Sequence, residues 1–127
     1  LDIESLKVLP LFTGLSQQEL ANVASLFFEK AYGRNSTLFV EGMTGEILYV
    51  IRKGSVQITK KNASGGETVL ATLGEGEFLG EMSLIDNRPR TATARVAEES
   101  SLLVMTKKAF NGLLEKYPDA ALKVVLV

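Results

Sequence analysis

The sequence predicts a mainly β chain with flanking helices, its strands closing antiparallel as a barrel, roll or jelly roll. Three observations carry this. Short β-rich runs separated by glycines follow one another from Ser36 to Thr106. Apolar residues recur at helical spacing on either side, over residues 1–30 and 107–127. The 127 residues are 46% hydrophobic and 23% charged, the balance of one globular domain that can bury a core without a metal or disulfide. The chain is therefore read as a single domain over 1–127, with a lead-in over 1–30, a β region over 36–106 and a closing helical segment over 107–127.

The lead-in begins with "IESLKVLPLF", where Ile3, Leu6 and Val8 precede Pro10, a residue that ends or kinks a helix. In "GLSQQELANVASLFFEK", Ser16 with Glu19 three residues on fits a capping box, and Leu20, Val23, Ala24 and Phe27 follow at helical spacing. Six runs then read as strands: "STLFVEG", "EILYVIR", "SVQITKK", "TVLATL", "TATARVA" and "SLLVMT". Lys53-Gly54 reads as a tight hairpin, Ser64-Gly65-Gly66 as a second turn, and Gly74 with Gly76 as a third. Helix returns in "TKKAFNGLLEKYPDAALKVVLV", with Phe110, Leu113, Leu114 and Tyr117 at i, i+3, i+4, i+7. Pro118 restarts a second helix, apolar nearly all round, which either packs on the roll or meets a second copy of the chain.

Charge and composition exclude several functions. Fourteen basic residues are scattered among fifteen acidic ones, with no basic stripe for nucleic acid. Without cysteine or histidine, the chain lacks thiolate and imidazole metal ligands, Ser–His and Cys–His nucleophile pairs, and histidine acid–base catalysis. No apolar run reaches the roughly 18 residues of a membrane span, and no signal peptide stands at the start, so a cytoplasmic setting is expected. Beginning at Leu1 rather than methionine, the chain reads equally as a processed protein or a piece of a longer one.

Two stretches invite a test for anion chemistry. "GEGEFLG" has glycines at 74, 76 and 80, one residue too widely spaced for the dinucleotide fingerprint, and Glu75 and Glu77 would repel a pyrophosphate; it reads as a turn. No P-loop is present. "GEMSLIDNRPRTATARV", residues 80–96, is different. Gly80 allows close backbone approach. Met82 to Ile85 suit one helical turn whose free N–H groups face an anion. Pro89 holds Arg88 extended, and Arg90 offers a guanidinium able to bind two phosphate oxygens. Thr91 and Ala92 follow with a hydroxyl and backbone donors. Alternation sets Thr91, Thr93 and Arg95 on one face and Ala92, Ala94 and Val96 on the other, so Arg90 and Arg95 do not share a ligand. Glu81 would repel a phosphate directly and makes sense facing sugar hydroxyls. Arg95 reads as a surface residue, and Phe39, Tyr49 and Phe78 as core.

"FLGEMSLIDNRPRTATARV" resembles the phosphate-binding cassette, here residues 78–93, of cyclic nucleotide-binding domains. "LPLFTGLSQQEL" looks like that family's helical lead-in, "LFVEGMTGEILYVIRKGSVQIT" like the first half of its β-roll, and "KKAFNGLLEKYPD" like its B helix entering the C helix. Leu79, between Phe78 and Gly80, departs from the family's Phe-Gly-Glu spelling. The resemblance implies an antiparallel double-stranded β-helix, a jelly-roll-like β-roll with N-terminal helices and C-terminal B and C helices. It implies that Glu81 accepts from the ribose 2′-hydroxyl, that Gly80, Met82 and Ser83 offer backbone donors, and that Arg90 pairs with the cyclic phosphate while Thr91 donates to it.

The ligand so implied is cAMP, with cGMP also admitted by Thr91, bound reversibly by a regulatory sensor that is not an enzyme and holds no metal or other cofactor. The family's purine cap lies far along the C helix, and Val127 comes early in it. A missing cap, one from a neighbouring subunit, or one from a continuation all stay open. The recognition helices of the DNA-binding relatives are absent, so no DNA contact is expected; the partners implied are an effector and a second copy of the chain at the C-terminal helix. The alternative reading is a non-catalytic interaction module of the same fold that binds no cyclic nucleotide, or another anion. A cupin-like enzyme fails for want of histidine ligands.

Overall fold

The computed structural model describes residues 3–7, 9, 12–45, 47–80 and 89–125. Two short helices, α1 (Ile3–Leu6) and α2 (Gln17–Ala24), lead into eight strands: β1 (Phe28–Tyr32), β2 (Thr37–Phe39), β3 (Ile47–Lys53), β4 (Val56–Lys61), β5 (Glu67–Leu73), β6 (Phe78–Leu79), β7 (Thr93–Val96) and β8 (Ser100–Thr106). Helices α3 (Lys107–Lys116) and α4 (Pro118–Val125) follow. The strands form two four-stranded antiparallel sheets, in the orders β1-β8-β3-β6 and β2-β7-β4-β5. The expected antiparallel architecture with flanking helices is what the chain adopts.

Strands β3 and β8 explain why the roll holds both a helical layer and a second sheet. Both are apolar at successive positions, as strands buried on two faces must be. Tyr49, Ile51, Leu102 and Val104 point between the sheets and meet Val56, Leu79, Ala94 and Val96. Leu48, Val50, Leu103 and Met105 point the other way, under α2, α3 and α4, where Leu20, Val23, Phe110 and Leu113 cover them. Burying one such aliphatic side chain contributes about 1.5–3 kcal/mol. The alternation expected for "TATARV" holds over β7: Ala94 and Val96 face the inter-sheet core, while Arg95 faces out and pairs with Glu67.

Helix α2 starts where the capping box places it. The Ser16 hydroxyl accepts from Glu19 N at 3.2 Å, and a Glu19 carboxylate oxygen accepts from Ser16 N at 2.9 Å. Lys123 of α4 reaches the same carboxylate at 2.8 Å, tying the last helix to the second.

Several sequence expectations need correction. Helix α2 stops at Ala24, short of Phe27, which is buried instead by packing edge-on against Phe12. The lead-in gives way at Phe28 to β1, an edge strand with no apolar alternation to mark it. Lys53-Gly54 does not close a hairpin, because β3 and β4 lie in different sheets; the turn carries the chain from one sheet to the other. Gly54 has φ +103°, and a Cβ there would lie 2.0 Å from the Ser100 hydroxyl, which accepts from Ser55 N at 3.1 Å. The β4–β5 turn at Ser64-Gly65-Gly66 is the true hairpin, closed by donation from Ser64 N and Gly66 N to the Asn62 side-chain oxygen. In α3 only Phe110 and Leu113 of the expected stripe are buried; Leu114 and Tyr117 are exposed. Helix α4 packs on its own chain through Ala120 and Ala121, with Leu122 exposed. No helix among the described residues is long and apolar enough to cross a membrane.

Candidate functional site

The site is built where the β2–β3 loop, the end of β6 and the approach to β7 converge. Pairing of β6 with β3, Leu79 opposite Tyr49, delivers Gly80 to the start of β3. Gly80 adopts φ +89°, and a Cβ there would lie 2.6 Å from the Ile47 carbonyl oxygen and 2.8 Å from Nη1 of Arg90. Only glycine brings the backbone this close to a guanidinium and a strand carbonyl together.

Arg90 is held from its backbone outward. Pro89 bridges to Thr44, Arg90 N donates to Met43 O at 2.6 Å, and Gly42 N donates to Arg90 O at 2.8 Å. The side chain is half-buried. Its Nη2 donates to the Ile47 carbonyl at 3.0 Å, and its Cζ lies 4.0 Å from the Phe39 ring centroid. A cation placed so over an aromatic face gains about 0.5–2 kcal/mol. Gly45 lies buried along the guanidinium's flank.

Arg90 lines a cavity of about 360 Å³, together with Leu38, Phe39, Ile47, Tyr49 and Met43. Lys107 and Lys108, at the start of α3, lie on its rim, and the described lining residues include no carboxylate. Among the described lining residues the cavity is thus mostly apolar with three cations, and it is within the size range of small-molecule sites. Tyr49 stands inside it, its hydroxyl 3.4 Å from the Leu38 carbonyl. Burial, then the neighbouring Tyr32, push the Tyr49 phenol up to about 12, with Arg90 pulling the other way. A roomier groove of about 570 Å³ between α2 and α3 is lined by Asn22, Leu26, Lys108, Gly112 and Tyr117 among others. Its described lining residues include no half-buried cation, so the Arg90 cavity is the better candidate for an anion.

Of the residues singled out in the sequence, Gly80 and Arg90 are brought together. Thr91 is exposed and Ala92 half-buried, and neither is among the described residues that line the cavity. Thr93, one residue into β7, is buried and accepts from Glu41 N at 2.9 Å, so its hydroxyl is committed to the loop. Glu81, Met82 and Ser83 lie outside the described residues. Arg95 sits apart in its pair with Glu67, as expected of a surface residue. Phe39 and Gly45 were not legible as site residues. Phe39 reads as one more core aromatic, and Gly45 as one more loop glycine, until the Thr44–Pro89 bridge sets both beside Arg90.

Comparison with known proteins identifies the family. Residues 29–117 match the family model described as "Cyclic nucleotide-binding domain". The Cyclic AMP receptor protein of Thermus thermophilus is 35% identical over 112 residues, which cover 88% of this chain and 52% of that protein. The chain thus spans about half the length of that relative. Among solved structures, the N-terminal domain of a transcriptional regulator from Streptomyces coelicolor A3(2) superposes with a TM-score of 0.84 at 34% identity, over 96% of this chain and 85% of that one. The regulatory domain of Toxoplasma gondii PKA, crystallised with cAMP, gives 0.79 at 30% identity, over 95% of this chain and 45% of that one. With two antiparallel sheets packed over an apolar core and a family match across most of its length, the chain belongs to the cyclic nucleotide-binding domain family.

Proposed function

We propose that this chain reversibly binds a 3′,5′-cyclic mononucleotide, cAMP in the first place and cGMP as a second candidate, and does no covalent chemistry on it. The observation that carries the reading is the Arg90 guanidinium, half-buried against Gly80 on the wall of a cavity that Leu38, Phe39 and Ile47 also line. A fixed guanidinium in such surroundings suits one anionic phosphate bearing an apolar, planar substituent. That the Thermus relative is named for cyclic AMP, and the Toxoplasma domain was crystallised with it, supports the choice of nucleotide.

In this reading Arg90 takes the cyclic phosphate, and Gly80, Met82, Ser83 and Ala92 supply backbone donors. Glu81 accepts from the ribose, and Thr91 swings in from its exposed position to donate to the phosphate. The signal follows from shared walls. The cavity that holds Arg90 also touches Thr106, Lys107 and Lys108, so an anion there acts on the first turn of α3. Helix α3 packs on α4, and a partner or a second copy at α4 would read the shift. Ligand drives this only by binding the two arrangements with different affinity.

A ligand of roughly 22 heavy atoms at about −0.3 kcal/mol per atom binds with about −7 kcal/mol, near ten micromolar. At about 1 mM cAMP, a hundredfold excess over that Kd, the folded chain gains about 2.7 kcal/mol. Thermal unfolding with and without nucleotide tests this, and a rise in Tm of about 10 °C is expected. The second reading, an interaction module with no nucleotide, draws on the acceptor Arg90 already has in Ile47. No shift with either nucleotide at that concentration decides for it.

A further inference from the structure

We infer that Gly45 and Phe39 are positioning residues for Arg90, forming a seat that presents its guanidinium toward Gly80 and the ligand; the inference rests on the reading of Arg90 as the phosphate partner. The seat has a wall, a flank and a stop. Phe39 is the wall, its ring centroid 4.0 Å from Cζ. The stop is the Ile47 carbonyl, 3.0 Å from Nη2. Gly45 is the flank: a Cβ there would lie 1.9 Å from Nε, 2.2 Å from Cζ and 2.4 Å from Nη2 of Arg90. No atom of another residue is among these three nearest neighbours.

The nature of those neighbours separates Gly45 from Gly80. Gly80 is bound by its positive φ and by a backbone oxygen that cannot retreat. Gly45 has no positive φ, and the three atoms nearest to a Cβ there all belong to the far end of one flexible side chain. An added methyl group at 45 is therefore compatible with the fold but not with the guanidinium where it lies. The side chain must leave the Phe39 face and the Ile47 carbonyl, and its charge then reaches the cavity from a different position. Preorganisation is lost, and affinity falls because the ligand must order what the fold no longer holds.

The test uses the intact chain, with Gly45→Ala, Phe39→Leu and Arg90→Ala beside the wild type. Arginine Nε–Hε resonances are recorded first without nucleotide, with Arg90→Ala assigning the signal. In the wild type the ring of Phe39 shifts the Arg90 Hε upfield of an unstructured arginine. Gly45→Ala and Phe39→Leu return it to the unstructured position, while amide signals of β3 and β8 stay in place, an outcome that a general loss of packing would not give. Calorimetric titration with cAMP then shows Gly45→Ala weakened by about tenfold or more and Phe39→Leu by about fivefold. An unmoved Arg90 signal in Gly45→Ala, or wild-type affinity in both variants, overturns the seat. A wild type that takes neither cAMP nor cGMP overturns the binding reading instead, and the resonances then decide the seat alone.

Discussion

Replacing Gly80 with alanine tests whether the approach of β6 to β3 is as tight as its geometry states. Two costs are separable. The first is conformational: φ +89° puts an L side chain in the left-handed region, worth about 1–2 kcal/mol. The second is steric: the new Cβ would stand 2.6 Å from the Ile47 carbonyl oxygen, and Ile47 is pinned in register opposite Thr106 of β8. Forcing a methyl group into so fixed a place costs a further 1–3 kcal/mol or so. The sum is about 3 kcal/mol, and at about 4 °C per kcal/mol for a chain of this size Tm should fall by about 12 °C. Gly65→Ala is the control, because Gly65 has φ +88° but nothing within 4 Å of its Cβ position. It should carry the first cost alone, a fall of about 5 °C. Thermal unfolding followed by circular dichroism compares the two. Equal losses refute the steric argument, and an unchanged Tm in Gly80→Ala refutes both.

Other expectations follow from single contacts. Ser16→Ala removes one half of the α2 capping box and should cost about 1 kcal/mol in denaturant unfolding, with Glu19→Gln costing less. In an absorbance titration one tyrosine should ionise at about 12, and Tyr49→Phe should abolish that transition. Since the folded value is raised, the contribution of Tyr49 to stability is complete below its ordinary 10.0 and is lost as pH rises through about 12. The Glu67 carboxyl is held below its ordinary 4.5 by Arg95 first and Thr59 second. Its contribution is complete above 4.5 and is lost as pH falls through the lowered value, so Glu67→Gln should flatten the acid side of the Tm profile.

What the sequence made legible was local chemistry. A serine and a glutamate three apart suffice to place the start of α2, because both bonds of the box close within one turn. Alternation suffices to send Ala94 and Val96 inward and Arg95 outward, because a strand has only two faces. Unbroken apolar runs in β3 and β8 marked strands, and the helices on either side supplied the second layer that covers them. Non-local choices were hidden. The positive φ of Gly54 serves a hairpin and a sheet crossing equally well, and the choice lies in the distant strands with which β3 and β4 pair. Strand β1 has no pattern of its own and is strand because β8 pairs with it. Leu114 and Tyr117 keep helical spacing yet face solvent, since α3 needs only Phe110 and Leu113 to cover the sheet. At the candidate site, the sequence singled out Gly80 and Arg90, and the fold brings the two together. Phe39 and Gly45 were not, because they reach Arg90 only through the Thr44–Pro89 bridge.

Titration calorimetry with cAMP, on the wild type and on Arg90→Ala, bears most directly on the anion site. Two charge-assisted bonds to a phosphate, at about 1.5–3 kcal/mol each, make Arg90 worth a hundredfold or more in affinity. Saturable heat near ten micromolar in the wild type, reduced beyond detection in a folded Arg90→Ala, is the result the site predicts. Equal heats and equal midpoints in the two proteins would contradict it.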